Sequence, residues 1–204
     1  REKVNVAVIF NTPPGANYQM AKWAAESVGA NNANVKLLKV KETAPQEAID
    51  QNPAWKANAD AMKDVAEVTL DDLEWADALL FSCPTRYGVL PAQLKAFIDT
   101  TGGLWSEGKL ADKVVSGMSS AVNAHGGQEA TILSLYTQMM HWGCIIAAPG
   151  YTDKVVFSTG GNPYGTSATV DQSGKIVDNI EEGVRFQAKR LVHITQALKA
   201  GKSV

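Results

Sequence analysis

Val4-Asn5-Val6-Ala7-Val8-Ile9-Phe10 runs directly into Asn11-Thr12-Pro13-Pro14-Gly15-Ala16-Asn17. The first seven residues are apolar and rich in β-branched side chains, with one polar interruption. That is the composition of a strand buried on both faces rather than one that alternates against solvent. The next seven are turn formers. They give way to Ala21, Ala24, Ala25 and Val28, spaced to share one face of a helix. A buried strand, a turn and an amphipathic helix are the opening of a parallel strand–helix–strand unit, so the fold turns on whether the pattern repeats.

It repeats. Val35 to Val40 reads as a second strand. Residues 41–70 form a long connection with a helical stretch around Trp55 to Met62, and Asp71 or Asp72 is placed to cap a further turn before Trp75. Ala78 to Ser82 is a third strand that ends in the loop Cys83 to Leu90. Pro91 suits the first turn of a helix running to about Thr100, where a missing N–H costs nothing. Val114 to Ser119 is a fourth strand. A helix over Glu129 to Trp142 follows, with Ile132, Leu135, Tyr136 and Met139 on one face and Gly143 ending it. Cys144 to Ala148 reads as strand five. Residues 149–177 are too long and too rich in Gly and Pro for a plain connector, and loops of that length carry function or an interface. Asp178 and Glu181 have capping-box spacing for a last helix along Val184, Ala188, Leu191, Thr195 and Leu198, which Gly201 stops. The expectation is an α/β fold over residues 1–204 as a single domain. Its core is a doubly wound five-stranded parallel sheet of order 2-1-3-4-5, with right-handed crossovers placing helices on both faces.

Composition narrows the chemistry. Nineteen Lys and Arg stand against 21 Asp and Glu, for a net charge of −2, and no basic run occurs. Nucleic-acid binding draws on clustered cations, so no nucleic-acid partner is expected. Cys83 and Cys144 lie beside apolar runs and read as buried thiols, with neither a disulfide framework nor a metal site. No apolar stretch approaches the ~20 residues of a membrane span. The chain enters its first strand without a signal-peptide pattern, and a cytoplasmic protein is expected. His125 and His141 are far apart, and no Ser, Cys or Asp pattern accompanies them as a hydrolytic triad would require.

In a sheet of this order, ligands bind beyond the carboxyl ends of the strands where the order reverses, between strands one and three. The loops to watch are residues 11–17, 83–90 and 120–127. The first leads into a helix N-terminus, which suits a phosphate, and Thr12 offers a hydroxyl. With only Gly15 it is neither a dinucleotide fingerprint nor a P-loop, so a mononucleotide fits better; a plain strand-to-helix turn is the alternative. The second loop, Pro84-Thr85-Arg86-Tyr87-Gly88, sets a cation and an aromatic where negative charge on a reduced flavin ring could be stabilised. A solvated Arg86 and a packed Tyr87 are the plainer readings. Trp105, after Gly102-Gly103-Leu104, could wall a pocket for a planar substrate or anchor in the core.

Taken together, these segments resemble the WrbA family of NAD(P)H:quinone oxidoreductases, over essentially the whole chain. The resemblance rests on Ser82-Cys83-Pro84-Thr85-Arg86-Tyr87-Gly88, Pro91-Ala92-Gln93-Leu94-Lys95-Ala96-Phe97-Ile98-Asp99 and Thr101-Gly102-Gly103-Leu104-Trp105, then His125-Gly126-Gly127-Gln128-Glu129 and Gly160-Gly161-Asn162-Pro163-Tyr164-Gly165, in one order. It implies a flavodoxin-like fold, bound FMN, NADH or NADPH as co-substrate, a quinone as acceptor and a homotetramer. Position by position, Thr12, Pro13, Pro14, Gly15, Ala16 and Asn17 match the loop that holds the FMN phosphate. Thr85, Arg86 and Tyr87 match the loop along the isoalloxazine. Ser120, Ala121, Val122, Asn123, Ala124, His125 and Gly126 match the third cofactor loop. Trp105 matches an aromatic of the substrate pocket, and Tyr164 lies in a motif near the active site and subunit contacts. His141 matches a histidine beside the flavin, able to give a proton or hydrogen bond to the quinone oxygen. The implied mechanism is ping-pong, with hydride delivered to flavin N5 and two electrons passed on to the quinone.

Three departures qualify that reading. Pro13 and Pro14 stand where the family offers Ser, Thr or an aromatic, and each removes an N–H donor. Ser120-Ala121-Val122-Asn123 replaces a hydroxyl-rich Ser-Thr-Gly-Thr, and a His-His pair is His141-Trp142. A hydrogen bond to a charged group is worth about 1.5–3 kcal/mol, so weakened FMN binding is expected. An electron carrier or redox sensor, and a regulatory or assembly protein with little grip on FMN, are the competing functions.

Overall fold

The computed structural model describes residues 3–13 and 15–202, so the expectation for Pro14 lies outside the described residues. In chain order the elements are β1 (Val4–Phe10), α1 (Ala16–Ala30), β2 (Ala33–Lys39), α2 (Gln46–Asp50), α3 (Pro53–Ala61), α4 (Leu70–Trp75), β3 (Ala78–Pro84) and α5 (Ala92–Asp99). They continue with α6 (Gly102–Ser106), β4 (Val114–Ala121), α7 (Gln128–Trp142), β5 (Ile145–Ile146), α8 (Val155–Ser158), β6 (Ser167–Thr169) and α9 (Glu181–Gly201).

The sheet is parallel, in the order β2-β1-β3-β4-β5. Side chains alternate across it as strand geometry requires. Val4, Val6, Val8 and Phe10 meet Met20, Ala24 and Val28 of α1 and Val184, Ala188 and Leu191 of α9. Ala7 and Ile9 point the other way, into a layer with Leu73 of α4, Leu94 and Ile98 of α5, and Leu135 and Met139 of α7. Burial on both faces is why β1 and β3 are apolar nearly throughout, while β4 buries small polar side chains, Ser116, Ser119 and Ser120, among its apolar ones.

Strand five departs from the sequence reading. Cys144 to Ala148 contributes only Ile145 and Ile146, paired to Val114 and Val115. The chain leaves at Ala147 and returns as β6, which pairs in parallel with Ser119, Ser120 and Ala121 on the same edge of β4. The fifth position of the sheet is thus filled by two short pieces, with an excursion over residues 147–166 between them.

Four helix ends also differ. Thr69, not Asp71 or Asp72, caps α4: its hydroxyl accepts from the Asp72 N–H, and the Asp72 carboxylate accepts from the Thr69 N–H. Pro91 sits at the N-cap of α5, one position before the first turn. Asp178 caps nothing. Its carboxylate accepts from the Thr169 N–H, and Ile180 stands at the N-cap of α9 without a side-chain cap, so the expected Asp178–Glu181 box is not formed. Gly201 is the last helical residue rather than a left-handed stop.

Candidate functional site

Register carries the loops to one edge. Phe10 lies beside Ser82, and Pro84 lies beside Ser120, so the chain turns off the sheet at nearly the same height after β1, β3 and β4. Residues 11–17, 84–90 and 120–127 meet there, at the carboxyl edge where the order reverses.

A buried hydrogen-bond chain ties the three together. Asn17 Nδ2 donates to Ser82 Oγ at 3.1 Å, and Ser120 Oγ donates to Asn17 Oδ1 at 2.7 Å. These side chains are therefore occupied with one another, and what Asn17 leaves to a ligand is its main-chain N–H. The N–H groups of Gly15, Ala16 and Asn17 open the 15-residue helix α1 with no acceptor among the described residues. Such a set of aligned, unpaired donors at the positive end of a helix dipole suits an anion. Beside them two buried polar atoms, Asn11 Oδ1 and Thr12 Oγ1, also lack a partner.

The second loop is a tight turn. Arg86 and Val89 exchange N–H···O=C bonds of 2.9 and 3.1 Å, and the two residues between them have positive φ, 52° at Tyr87 and 81° at Gly88. That is type I′ geometry. Thr85 Oγ1 accepts from the Gly88 N–H and from Thr131 Oγ1 of α7 at 2.8 Å, which ties the turn to that helix. Tyr87 is fully exposed, and Arg86 is exposed with its guanidinium donating to the Thr85 carbonyl. The third loop comes very near. A Cβ on Gly127 (φ 98°) would sit 3.0 Å from Gly88 Cα, and one on Gly126 would sit 2.5 Å from Ala121 Cβ. Glycine at 127 lets the two loops approach, and glycine at 126 lets the third loop fold back on itself. Val122, Asn123, Ala124 and His125 are exposed.

Between these loops lies a cavity of about 190 Å³, lined by Pro13, Gly15, Ala16 and Asn17 on one side and Arg86, Ser120 and Val122 on the other. Its last wall was not expected from sequence. Val170 donates to the Ala121 carbonyl and bridges to Ile176, forming a small hairpin whose Asp171, Gln172 and Gly174 close the cavity. The Asp171 carboxylate accepts from the Ser173 N–H and hydroxyl and the Lys175 N–H, which hold it below the usual carboxylate range. An Asp-x-Ser-Gly turn signal stood in the sequence at 171–174. A larger cavity, about 560 Å³, lies on the far side of the third loop, between His125, Gln128 and Glu129 and the segment carrying Gly160, Asn162 and Ser167. A third, about 150 Å³, lies behind the first loop between Asn11, Thr12, Trp55 and Met62.

Trp105 and His141 lie elsewhere. Trp105 Nε1 donates to the His141 carbonyl at 3.0 Å, so these two are neighbours. But α7 runs back along the sheet from Gln128, and His141 is thirteen residues on, about 20 Å away at 1.5 Å per residue. Both are exposed at the amino edge. Tyr164 is in between. Its carbonyl accepts from the Tyr136 hydroxyl, and its ring is partly exposed. Cys83, directly before the second loop, is buried, and burial pushes its thiol up to about 12 despite the Arg86 charge nearby. It is therefore a core thiol and not a nucleophile. Among the described residues, no group of three or more His, Cys, Asp or Glu is placed to hold a metal ion. No described helix is long and apolar enough to cross a membrane.

Comparison with known proteins agrees with this architecture. The family described as "NADPH-dependent FMN reductase" matches residues 4–154. An "NAD(P)H dehydrogenase (quinone)" from Deinococcus radiodurans is 52% identical over 195 residues, covering 96% of this chain and 97% of that one. A protein of the same description from Aromatoleum aromaticum is 34% identical over 98% of this chain and 100% of its own length. Among solved structures, a "flavodoxin, WrbA-like protein" from Agrobacterium tumefaciens superposes with a TM-score of 0.64 at 18% identity, covering 96% of this chain and 99% of the other.

Proposed function

The chain belongs to the NADPH-dependent FMN reductase family, and we propose that it is an FMN-dependent NAD(P)H:quinone oxidoreductase. The observation that carries this reading is the convergence of three loops on the carboxyl edge around unpaired main-chain donors. The relatives described as NAD(P)H dehydrogenase (quinone) supply the acceptor and the co-substrate.

The residues present fit FMN. The N–H groups of Gly15, Ala16 and Asn17 offer donors for a phosphate where they have no acceptor among the described residues. A cavity of about 190 Å³ is below the usual 300–1,000 Å³ of a whole-ligand pocket. It suits the phosphate and sugar-alcohol chain, with the ring outside it along Thr85, Arg86, Tyr87 and the Ser120–Gly126 loop. When bound, FMN supplies two-electron chemistry, taking hydride from the nicotinamide and passing reducing equivalents to the quinone. The chain's own part is to hold and polarise. Arg86 sets a fixed positive charge beside the ring position, and Tyr87 offers an aromatic face. Pro13 has no N–H to offer, and the Ser120 hydroxyl is bonded to Asn17, so fewer donors reach the phosphate than a Ser/Thr-rich loop would provide.

Trp105 and His141 are too far from these loops to act with them in one copy. We assign them to a substrate pocket completed by a neighbouring copy in a homotetramer, where His141 gives a hydrogen bond or proton to the quinone oxygen. The exposed apolar side chains favour this: Leu133 and Met140 on the outer face of α7, and the stacked Tyr151 and Phe157 on the excursion.

Titration of the apoprotein with FMN, followed by flavin fluorescence, and NADH oxidation with benzoquinone test the reading. Saturable binding and quinone-dependent oxidation are expected. Absence of saturable binding at roughly hundreds of micromolar, far weaker than the donors counted above allow, would overturn it. Binding without turnover would leave an electron carrier. Light scattering at micromolar protein should give a tetramer.

A further inference from the structure

We propose that Asn58, on α3 and far from the three loops in sequence, positions the loop for the cofactor phosphate; this rests on the FMN reading above. The loop's weakness is its proline. Pro13 cannot donate an N–H, so the segment cannot brace itself with a main-chain bond at that position. The bracing comes from outside. Asn58 Nδ2 donates to the Thr12 carbonyl at 2.9 Å, on one side of the proline segment. On the other side, Gly15 has φ 140°, and a Cβ there would sit 3.0 Å from Asn58 Oδ1. One amide group therefore bonds to the chain at Thr12 and packs against Gly15, filling the space that glycine leaves.

The rest of the setting agrees. α3 has no buried residue, so its place over the loop is not set by a packed core. Its N-terminus is built locally, with Asn52 capping the Trp55 N–H and Pro53 at the first turn. Asn58 is its polar bond to the loop, and the cavity of about 150 Å³ beneath it leaves the two layers loosely packed. A single directed hydrogen bond across a loosely filled space fixes orientation more than stability. Losing it frees the Thr12 carbonyl to swing, and the N–H groups of Gly15, Ala16 and Asn17 then no longer converge.

The test uses FMN against riboflavin, which lacks the phosphate, on the full-length apoprotein. Wild type should bind FMN more tightly than riboflavin. Asn58→Leu removes the donor at similar volume and should cut that preference about tenfold, the worth of one hydrogen bond, with riboflavin affinity unchanged. Asn58→Asp keeps the shape but puts a carboxylate facing the Thr12 carbonyl, and should lower the preference further. Should Asn58→Leu fail to fold, Asn58→Ser is read the same way. Variants that keep the wild-type preference, or lose affinity for both flavins equally, overturn this assignment alone. A wild type that binds neither flavin overturns the functional reading itself.

Discussion

Tyr87 holds an unusual backbone position for its type. A non-glycine residue at φ 52° costs about 1–2 kcal/mol against glycine, and a fully exposed ring gains nothing from burial to offset it. Strain kept at a turn tip beside a ligand cavity points to a role in the bound state. Tyr87→Gly should therefore raise the stability of the apoprotein by about 1 kcal/mol, read as a higher urea midpoint, and should weaken flavin binding in fluorescence titration. A stabilised variant with unchanged flavin affinity would leave the aromatic without a function there. At this scale the sequence was partly legible. The pairing of a cation with an aromatic at 86–87 stood out, because the run before it was plainly a strand end. Which hydroxyls are free was not legible. Thr12, Thr85 and Ser120 all fell in the loops matched to the cofactor, yet only the Thr12 hydroxyl is unpaired, while the others are bonded within the chain. Asn58 was invisible for another reason: the helical stretch around it was legible, but α3 buries no residue that would say which loop it lies over.

Among the elements, the split of strand five is the chief feature that sequence reading missed. β1, β3 and β4 were legible to within two residues because each is buried on both faces and carries short β-branched or aliphatic runs without charge. Ser167–Thr169 has no such run, and it joins the sheet because the excursion is pinned from below. Gln187 of α9, fully buried, accepts from the Thr166 N–H at 2.7 Å and donates to Ser116 Oγ at 2.7 Å and the Gly117 carbonyl at 2.8 Å. The Tyr136 hydroxyl accepts from the Gly117 N–H and donates to the Tyr164 carbonyl. Gly165 packs so near that a Cβ would lie 1.8 Å from the Gly117 carbonyl oxygen. One side-chain amide thus joins a helix, β4 and the returning segment. Gln187→Leu would leave the Thr166 N–H buried and unpaired, and should cost about 1–3 kcal/mol by denaturant unfolding. Hydrogen exchange should localise the loss to 160–178, which includes the hairpin wall of the cavity, and FMN affinity should fall with it. Uniform protection across the variant would mean that the excursion is held by other contacts.

Across the whole molecule, topology explains both the site and its incompleteness. Helices that follow parallel strands run back toward the amino edge. The beginnings of α1 and α7 therefore serve the carboxyl edge, while Trp105 and His141, near helix ends, face the opposite way. The family resemblance grouped them with the cofactor loops, and a motif does not record where in the fold its residues fall. The two faces of the sheet also differ in their response to pH. Cys83, Tyr136 and Cys144 all belong to the layer packed by α4, α5 and α7. Burial pushes each up to about 12, from ordinary values of 9.0 for the thiols and 10.0 for the phenol. An acid whose folded value is raised stays protonated in the folded chain while the unfolded chain has already lost its proton. Its contribution is thus complete below the unfolded value and is lost as pH rises toward the folded one. Lys113 acts in the opposite sense: its burial lowers its value below 10.5, so raising pH relieves a cost up to that point. Two thiols against one ammonium leave a net loss from about pH 9, and the phenol steepens it above 10. Each group contributes at most about 1.4 kcal/mol per pH unit. Urea midpoints should hold steady below pH 9 and fall progressively to pH 12. A Cys83→Ala, Cys144→Ala double variant should delay the fall until the phenol begins to titrate. If the double variant declines from pH 9 as wild type does, the alkaline transition belongs to other groups.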